Sequence, residues 1–437
     1  MTWPEITQLT KRNCAATVDS NFAEWSRNKH SRSNWLSSIA FKRAKMVKEL
    51  TASNELREFE LGPNEPLIGL PGSRERLTTP CLSIDLGALD RNIQTAASHC
   101  REARCAFRPH TKTHKSVEIA LKQLDAGAQG ICVANIGEAE IFAAAGIDDI
   151  LITSPFVSDA KFDRLMRLLK VSRRVAVVVD HIDVARRLAA HASQANAAVP
   201  VYLDIDTGRH RTGVSSIQSA VELARLLTQN KSFEFIGLQA YAGHLSHLAD
   251  FSARMEGAKV VANMVREVCV ALHDQSITVK KISGGSMGTI VVDAQVDVYS
   301  ELQYGSYVFS DVEYQEVNLD GRGGALFEPS LFVRTTVISK NWPGMVTTDA
   351  GHKHFAGSNG ALPRIHKGGS RSRRYEPRSD EHGAIYFSSK DDSLEIGDCV
   401  ECLVPHCDPT VNLYSHYHVV DGDTLVDIWP VDARGAF

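Results

Sequence analysis

From about residue 76 to residue 325 short β-branched runs alternate with stretches of helical period. The runs fall at 105–110, 130–135, 149–154, 174–180, 200–206, 235–241, 279–286 and 298–308. The segments between them are long enough for crossover helices, and a run such as Val175-Ala176-Val177-Val178-Val179 is apolar on both of its faces. Strands of that kind belong to a parallel sheet covered on both sides, so the α/β class is predicted. A doubly wound open sheet has the same local signature. Eight strands close most economically into a (β/α)₈ TIM-type barrel, and the strand number decides for it.

After about residue 326 the texture changes to alternating strands at 331–339, 384–388 and 399–404, interrupted by a Gly/Ser/Arg-rich loop at 367–374. This predicts a smaller C-terminal antiparallel β domain over 326–437. Residues 1–75 are polar and mixed in charge, with Lys42, Arg43, Lys45 and Lys48 clustered, and close on Gly62-Pro63-Asn64-Glu65-Pro66. They read as an appended extension, partly helical or flexible; their acidic residues argue against a transit peptide.

Composition narrows the partners. With 437 residues, 43% hydrophobic, 23% charged and a formal net charge of -4, the chain has no basic field for nucleic acid or an anionic membrane. A small-molecule partner follows. Nine scattered cysteines and the lack of a long apolar N-terminal stretch point to reduced thiols and a cytoplasmic location.

Polar residues gather where the barrel strands should end: Arg108, His110, Lys112 and His114, then Asn135, Ser154, and Asp204, Asp206 and Arg211. The later strands add Tyr241, His244 and His247, the Gly284-Gly285-Ser286-Met287-Gly288-Thr289 turn, and Tyr304-Gly305-Ser306. Active sites of such barrels lie at the C-terminal ends of the strands. Lys112, crowded by basic neighbours, is expected to have a depressed pKa and to serve as a Schiff-base lysine. A glycine-rich turn with backbone amides and the Ser286 and Thr289 hydroxyls can cradle an anion. A lysine and a phosphate cradle together suggest pyridoxal phosphate, although a solvated basic turn would explain the lysine segment alone.

In the β domain, His406 and Asp408 stand at i and i+2. If extended they project from one face, as two ligands of one ion must. Imidazole and carboxylate suit Mn²⁺, Mg²⁺ or Zn²⁺ and leave positions for water and substrate. A zinc knot of Cys399, Cys402, His406 and Cys407 lacks the second pair of a ribbon, and 399–404 reads better as a strand.

Three motifs together resemble the D-threonine aldolase and D-serine dehydratase family of fold type III pyridoxal-phosphate enzymes, related to alanine racemase. They are Arg108-Pro109-His110-Thr111-Lys112-Thr113-His114-Lys115, Asp206-Thr207-Gly208 with Arg211-Thr212-Gly213, and His406-Cys407-Asp408-Pro409-Thr410-Val411-Asn412-Leu413-Tyr414. The likeness runs from about Thr79 to Gly435. It implies a homodimer of barrel and β domain with the active site at the interface, Lys112 as the Schiff-base lysine, Arg211 near the cofactor ring and Tyr241 against cofactor or substrate. It also implies His406 and Asp408 on a divalent metal, and His247 where the aldolases keep the base that takes the β-hydroxyl proton. Two departures stand out: Met287 interrupts a turn that often reads Gly-Gly-Gly-Thr-Gly-Thr, and His244 replaces a smaller or neutral residue.

The expected reaction is therefore cleavage of the Cα–Cβ bond of a D-β-hydroxy-α-amino acid, D-threonine-like, to glycine and an aldehyde. The neighbouring reading is dehydration of D-serine or 3-hydroxy-D-aspartate. The dehydratases resemble His-x-Cys at the metal where this chain has His-x-Asp, which favours the aldolase. A racemase or a non-catalytic cofactor carrier shares the lysine barrel and needs no metal pair.

Overall fold

A computed structural model describes residues 61–437 apart from 173, 359, 369–372 and 388–393. Most of the predicted N-terminal extension, and the centre of the 367–374 loop, thus lie outside the described residues. Eight parallel strands form one sheet: β2 (Ala106–Phe107), β3 (Ile131–Val133), β4 (Ile150–Ile152), β5 (Val175–Val179), β6 (Val199–Asp204), β7 (Phe233–Ala240), β8 (Lys281–Gly284) and β9 (Glu301–Leu302). β9 pairs with both β2 and β8. An isolated parallel bridge from His110 to Cys132 joins the chain beyond β2 to β3, which brings the barrel round to closure.

Each predicted run overlaps one of these strands, with β6 and β7 starting one and two residues before their runs, and helices such as Leu86–Glu102, Ile182–Gln194 and Ile217–Gln229 cover the outside. The helices start where sequence chemistry says they should. Asp85, Asn135, Ser158 and Ser216 each accept a hydrogen bond from an amide of the first turn that has no intrahelical partner. Inside the barrel, Cys132, Leu151, Ala176, Val178 and Tyr202 form their own small apolar cluster. The larger core lies between strands and helices, where Ile152, Val177, Leu203, Phe142 and Leu223 are buried.

The second sheet has nine strands among the described residues, mostly antiparallel. Its first strand, β1 (Cys81–Asp85), falls early in the 76–325 stretch yet pairs with β10 (Leu331–Ser339) and, in parallel, with β16 (His416–Asp421). The chain therefore enters the β domain, builds the barrel, and returns. Residues 61–75 pack there too: Leu61, Leu67 and Ile68 cover Leu77, Cys81, Val420, Leu425 and Ile428. Arg74 meets Glu401 at 2.6 Å, and Arg334 meets the same carboxylate at 2.9 Å. No helix of the described residues is long and apolar enough to cross a membrane.

Candidate active site

Directly after β2 the chain makes a single 3₁₀ turn, Thr111–Thr113, with Lys112 at its centre. The turn is built from its neighbours. The His110 ring accepts from the Lys112 amide at 3.3 Å, the Thr111 hydroxyl donates to the Cys132 carbonyl at 3.0 Å, and Gly305 lets a strand end pass so close that a Cβ there would sit 2.8 Å from Thr113 Oγ1. His110 and His114 are buried, and burial holds both imidazoles neutral; that of His114 is pushed down to about 4. They are structural members of the turn.

Lys112 itself emerges at the mouth with its side chain 40% exposed. Its ammonium meets the carboxylate of Asp408, which also accepts from the hydroxyls of Thr113 at 3.1 Å and Ser306 at 3.3 Å. Partial desolvation works against the charge on Lys112, but the adjacent Asp408 outweighs it and raises the pKa. The depressed value expected from basic neighbours is corrected: the histidines that crowd the lysine in sequence are uncharged, and the carboxylate that meets it lies far along the chain. Arg108, predicted at the mouth, is also relocated. Its guanidinium lies 2.7 Å from Asp149 and 3.1 Å from Glu301, and both acids sit at the starts of barrel strands, so it points to the opposite end.

The pair His406/Asp408 is not extended. His406 is the last residue before a short helix, Cys407–Val411, and Asp408 stands in its first turn. The Asp311 carboxylate fixes the arrangement: one oxygen accepts from the Cys407 amide at 2.7 Å and from His406 Nδ1 at 3.0 Å. This leaves Nε2 of His406 for a ligand. Asp311, His406 and Cys407 place potential donor atoms within 4.8 Å of one another, and Cys407 Sγ is 3.4 Å from Asp408 Oδ2. Burial pushes the Cys407 thiol far up, so the better donors for a divalent ion are the imidazole and the carboxylates. The residues present fit such an ion.

Three further groups converge on this corner. His247, in the loop after β7, has its ring 6.2 Å from that of His406 and 4.7 Å from that of Tyr314, with Glu313 3.8 Å from its Nδ1. Glu313 is also 3.7 Å from His406. Asp311 and Glu313 were not singled out in the sequence; Asp-Val-Glu following the eighth strand run was the available signal. Across the mouth Arg211 lies over the ring of Tyr241, and both line a cleft with Asp204, Asp206, Thr207 and Thr212. Asp206 ties its own turn together by accepting from the Gly208 and His210 amides, and Asp204 accepts from Thr212 and Gln239. Asn135 is a helix cap, and Ser154 is exposed.

The glycine turn carries a surprise. Gly285 adopts φ +79, and the Ser286 amide donates to Thr289 Oγ1 at 3.1 Å and to Asp293 Oδ2 at 3.2 Å. The Thr289 hydroxyl donates to the same Asp293 oxygen at 2.8 Å, and Tyr304 does so at 3.3 Å. Thus the Ser286 amide and the Thr289 and Tyr304 hydroxyls are turned onto a buried acid, and the Ser286 hydroxyl meets Thr289 at 2.9 Å, where a cofactor contact was expected. The amides of Met287 and Gly288, which open the 3₁₀ turn Met287–Thr289, have no partner within their helix and can receive an anion. With Lys112, Arg211 and Tyr241 at the same mouth, the residues fit a phosphorylated aldehyde cofactor.

A parallel barrel with a lysine at its mouth, met by groups from a second, largely antiparallel domain, defines the alanine-racemase-like class. Residues 84–311 match the alanine racemase N-terminal domain, and residues 330–420 match a putative serine dehydratase domain. The chain is 34% identical to the 3-hydroxy-D-aspartate aldolase of Paracoccus denitrificans over 88% of its length and 99% of the relative. It is 35% identical to the D-threonine aldolase of an Arthrobacter species, over 85% of the chain and 95% of that protein. The crystal structure of D-threonine aldolase from Filomicrobium marinum superposes with a TM-score of 0.79 at 33% identity, covering 83% of this chain and 96% of that one. The chain belongs to the D-threonine aldolase and D-serine dehydratase family of fold type III, alanine-racemase-like lyases.

Proposed function

We propose that this protein cleaves D-β-hydroxy-α-amino acids between Cα and Cβ, yielding glycine and an aldehyde, with pyridoxal phosphate and a divalent metal (Mn²⁺, Mg²⁺ or Zn²⁺) as cofactors. The observation that carries the reading is the corner where His247 stands beside His406 above Glu313, at the mouth that also holds Lys112 and Asp408. Lys112 is the amine that holds the cofactor aldehyde. Arg211 and Tyr241 face its ring, and the turn from Gly284 and Gly285 through Ser286 and Gly288 to Thr289 receives its phosphate. His406 and Asp408 hold the metal. Bound pyridoxal phosphate supplies an electron sink for the breaking bond. The metal supplies Lewis acidity that brings an alcohol within reach of an imidazole base.

His247 is that base. Burial lowers its pKa, so it is neutral and able to accept a proton near pH 7, and Glu313 stands by to stabilise the imidazolium once formed. The relatives named aldolases align over nearly their whole length, and Asp408 rather than a thiolate lies at the metal corner, which favours aldol cleavage over dehydration. The reading includes the homodimer implied by the resemblance.

The test is a product assay. The purified protein, supplied with a divalent metal, is incubated with D-threonine, D-serine and 3-hydroxy-D-aspartate. Glycine and an aldehyde are expected. A 2-oxo acid with ammonia would instead establish the dehydratase, and a protein with no cofactor absorbance near the visible edge would overturn both.

A further inference from the structure

Asp293 is 2% exposed and lies one helical turn after Thr289, inside the barrel wall behind the glycine turn. Its Oδ2 atom collects three donors: the Ser286 amide, the Thr289 hydroxyl and the Tyr304 hydroxyl. The turn is wrapped so closely round this oxygen that a Cβ on Gly285 would come within 2.6 Å of it. Gly288 is equally confined on its other side, where a Cβ would meet the Ser246 carbonyl at 2.1 Å. The loop that carries His244 and His247 therefore clasps the outer side of the turn, and Asp293 holds the inner side.

We propose that Asp293 is a positioning residue for the cofactor phosphate: its Oδ2 holds the Ser286 amide and Thr289 hydroxyl inward, so that the Met287 and Gly288 amides are presented to the anion. This rests on the pyridoxal-phosphate reading above. It also gives Tyr304 a role, which is to support Asp293 rather than to touch the phosphate.

A carboxylate behind a phosphate would repel it, and the pocket answers this by its dryness. Burial pushes the Asp293 carboxyl up to about 7, so that an incoming dianion meets a group ready to hold its proton. The function required of Asp293 is then that of an acceptor oxygen, not of a charge. An amide oxygen can perform it.

The full-length chain, stripped of cofactor, is titrated in parallel with pyridoxal phosphate and with pyridoxal, which has the aldehyde and ring but no phosphate, and binding is followed by absorbance. Asp293→Ala is expected to weaken pyridoxal phosphate by about tenfold or more, the scale of a lost hydrogen bond to a charged group, while pyridoxal binding stays as in the unmodified protein. Asp293→Asn keeps the acceptor oxygen and is expected to restore pyridoxal-phosphate affinity fully. Equal affinity in Asp293→Ala and the unmodified chain would overturn the proposal. So would a parallel loss of both ligands, which marks general collapse of the site, or an Asn variant as weak as the Ala variant. Failure of the unmodified chain to bind either ligand would instead strike the cofactor reading itself.

Discussion

Lys112 and Asp408 are 296 positions apart, yet their side chains pair at the barrel mouth. The pair sets the charge of both groups: after opposing desolvation, each raises the other's preference for its ionised form, so Asp408 stays well below the usual carboxylate range. An amine held as ammonium is a poor nucleophile, so Lys112 must part from Asp408 before it can engage an aldehyde. On the proposed function the same carboxylate would ligate the metal, which would link metal and cofactor loading. Replacing Asp408 with alanine frees the lysine and, on the proposed function, removes a metal ligand. Asp408→Ala is expected to keep its cofactor absorbance but to lose metal-stimulated turnover by about 10² or more, whereas Lys112→Ala loses the absorbance itself. An Asp408→Ala protein whose turnover still rises with added Mn²⁺ would remove Asp408 from the metal site.

At the scale of elements, the barrel was legible because eight strands need eight apolar β-branched runs, and each run from 105–110 to 298–308 overlaps its strand. The lysine turn and the glycine turn were legible for a related reason: their chemistry is contiguous in sequence. What escaped was chemistry assembled by distance. Asp311, Glu313 and Asp293 lie outside the eight strand runs, and nothing local ties Asp311 to His406 or Asp293 to Ser286. The i, i+2 argument for His406 and Asp408 failed because a helix begins between them, fixed by the Asp311 acceptor. Arg108 was misplaced because a long side chain leaves a two-residue strand in either direction. It lies instead among Glu301, Asp149, Tyr202 and Lys281, with Glu301 fully buried and held down to about 2, burial opposing this and Arg108 chiefly producing it. Arg108→Ala would leave a buried carboxylate with Lys281 as the one cation the network still sets against it. A loss of stability of about 3 kcal/mol or more is expected in urea unfolding, with the cofactor site still loading in the folded fraction. A change within error would show that the network contributes nothing net.

Over the whole molecule the two sheets are joined around the lysine turn. The Tyr417 hydroxyl, on β16, donates to the His114 carbonyl at 2.6 Å; the Ala433 amide donates to Lys115; and the Val117 amide donates to Asp432 at 2.8 Å. Two neutral imidazoles flank this strand, His114 in the seam and His418 on the strand's other face, between β1 and Asn64. His114 accepts from the Ser116 amide through Nδ1 and reaches Gln123 through Nε2. His418 bridges the Leu82 carbonyl and the Asn64 side-chain amide, so its Nδ1 donates and its Nε2 accepts. A second proton on His418 would set Nε2–H against the Asn64 amide hydrogens, and burial disfavours the charge at both sites, pushing each pKa from 6.5 to about 4. Because the folded values are depressed, the unfolded chain binds the extra protons first. Stability is therefore complete above about pH 6.5 and is lost as pH falls from there toward 4, on the order of 3 kcal/mol for each histidine over the full range. Urea midpoints taken at pH 7.5 and pH 5 are expected to differ accordingly. His418→Gln, which can donate to one neighbour and accept from the other without titrating, is expected to lower stability at neutral pH yet reduce the acid-side slope. An unchanged slope in that variant would place the acid sensitivity elsewhere than in His418.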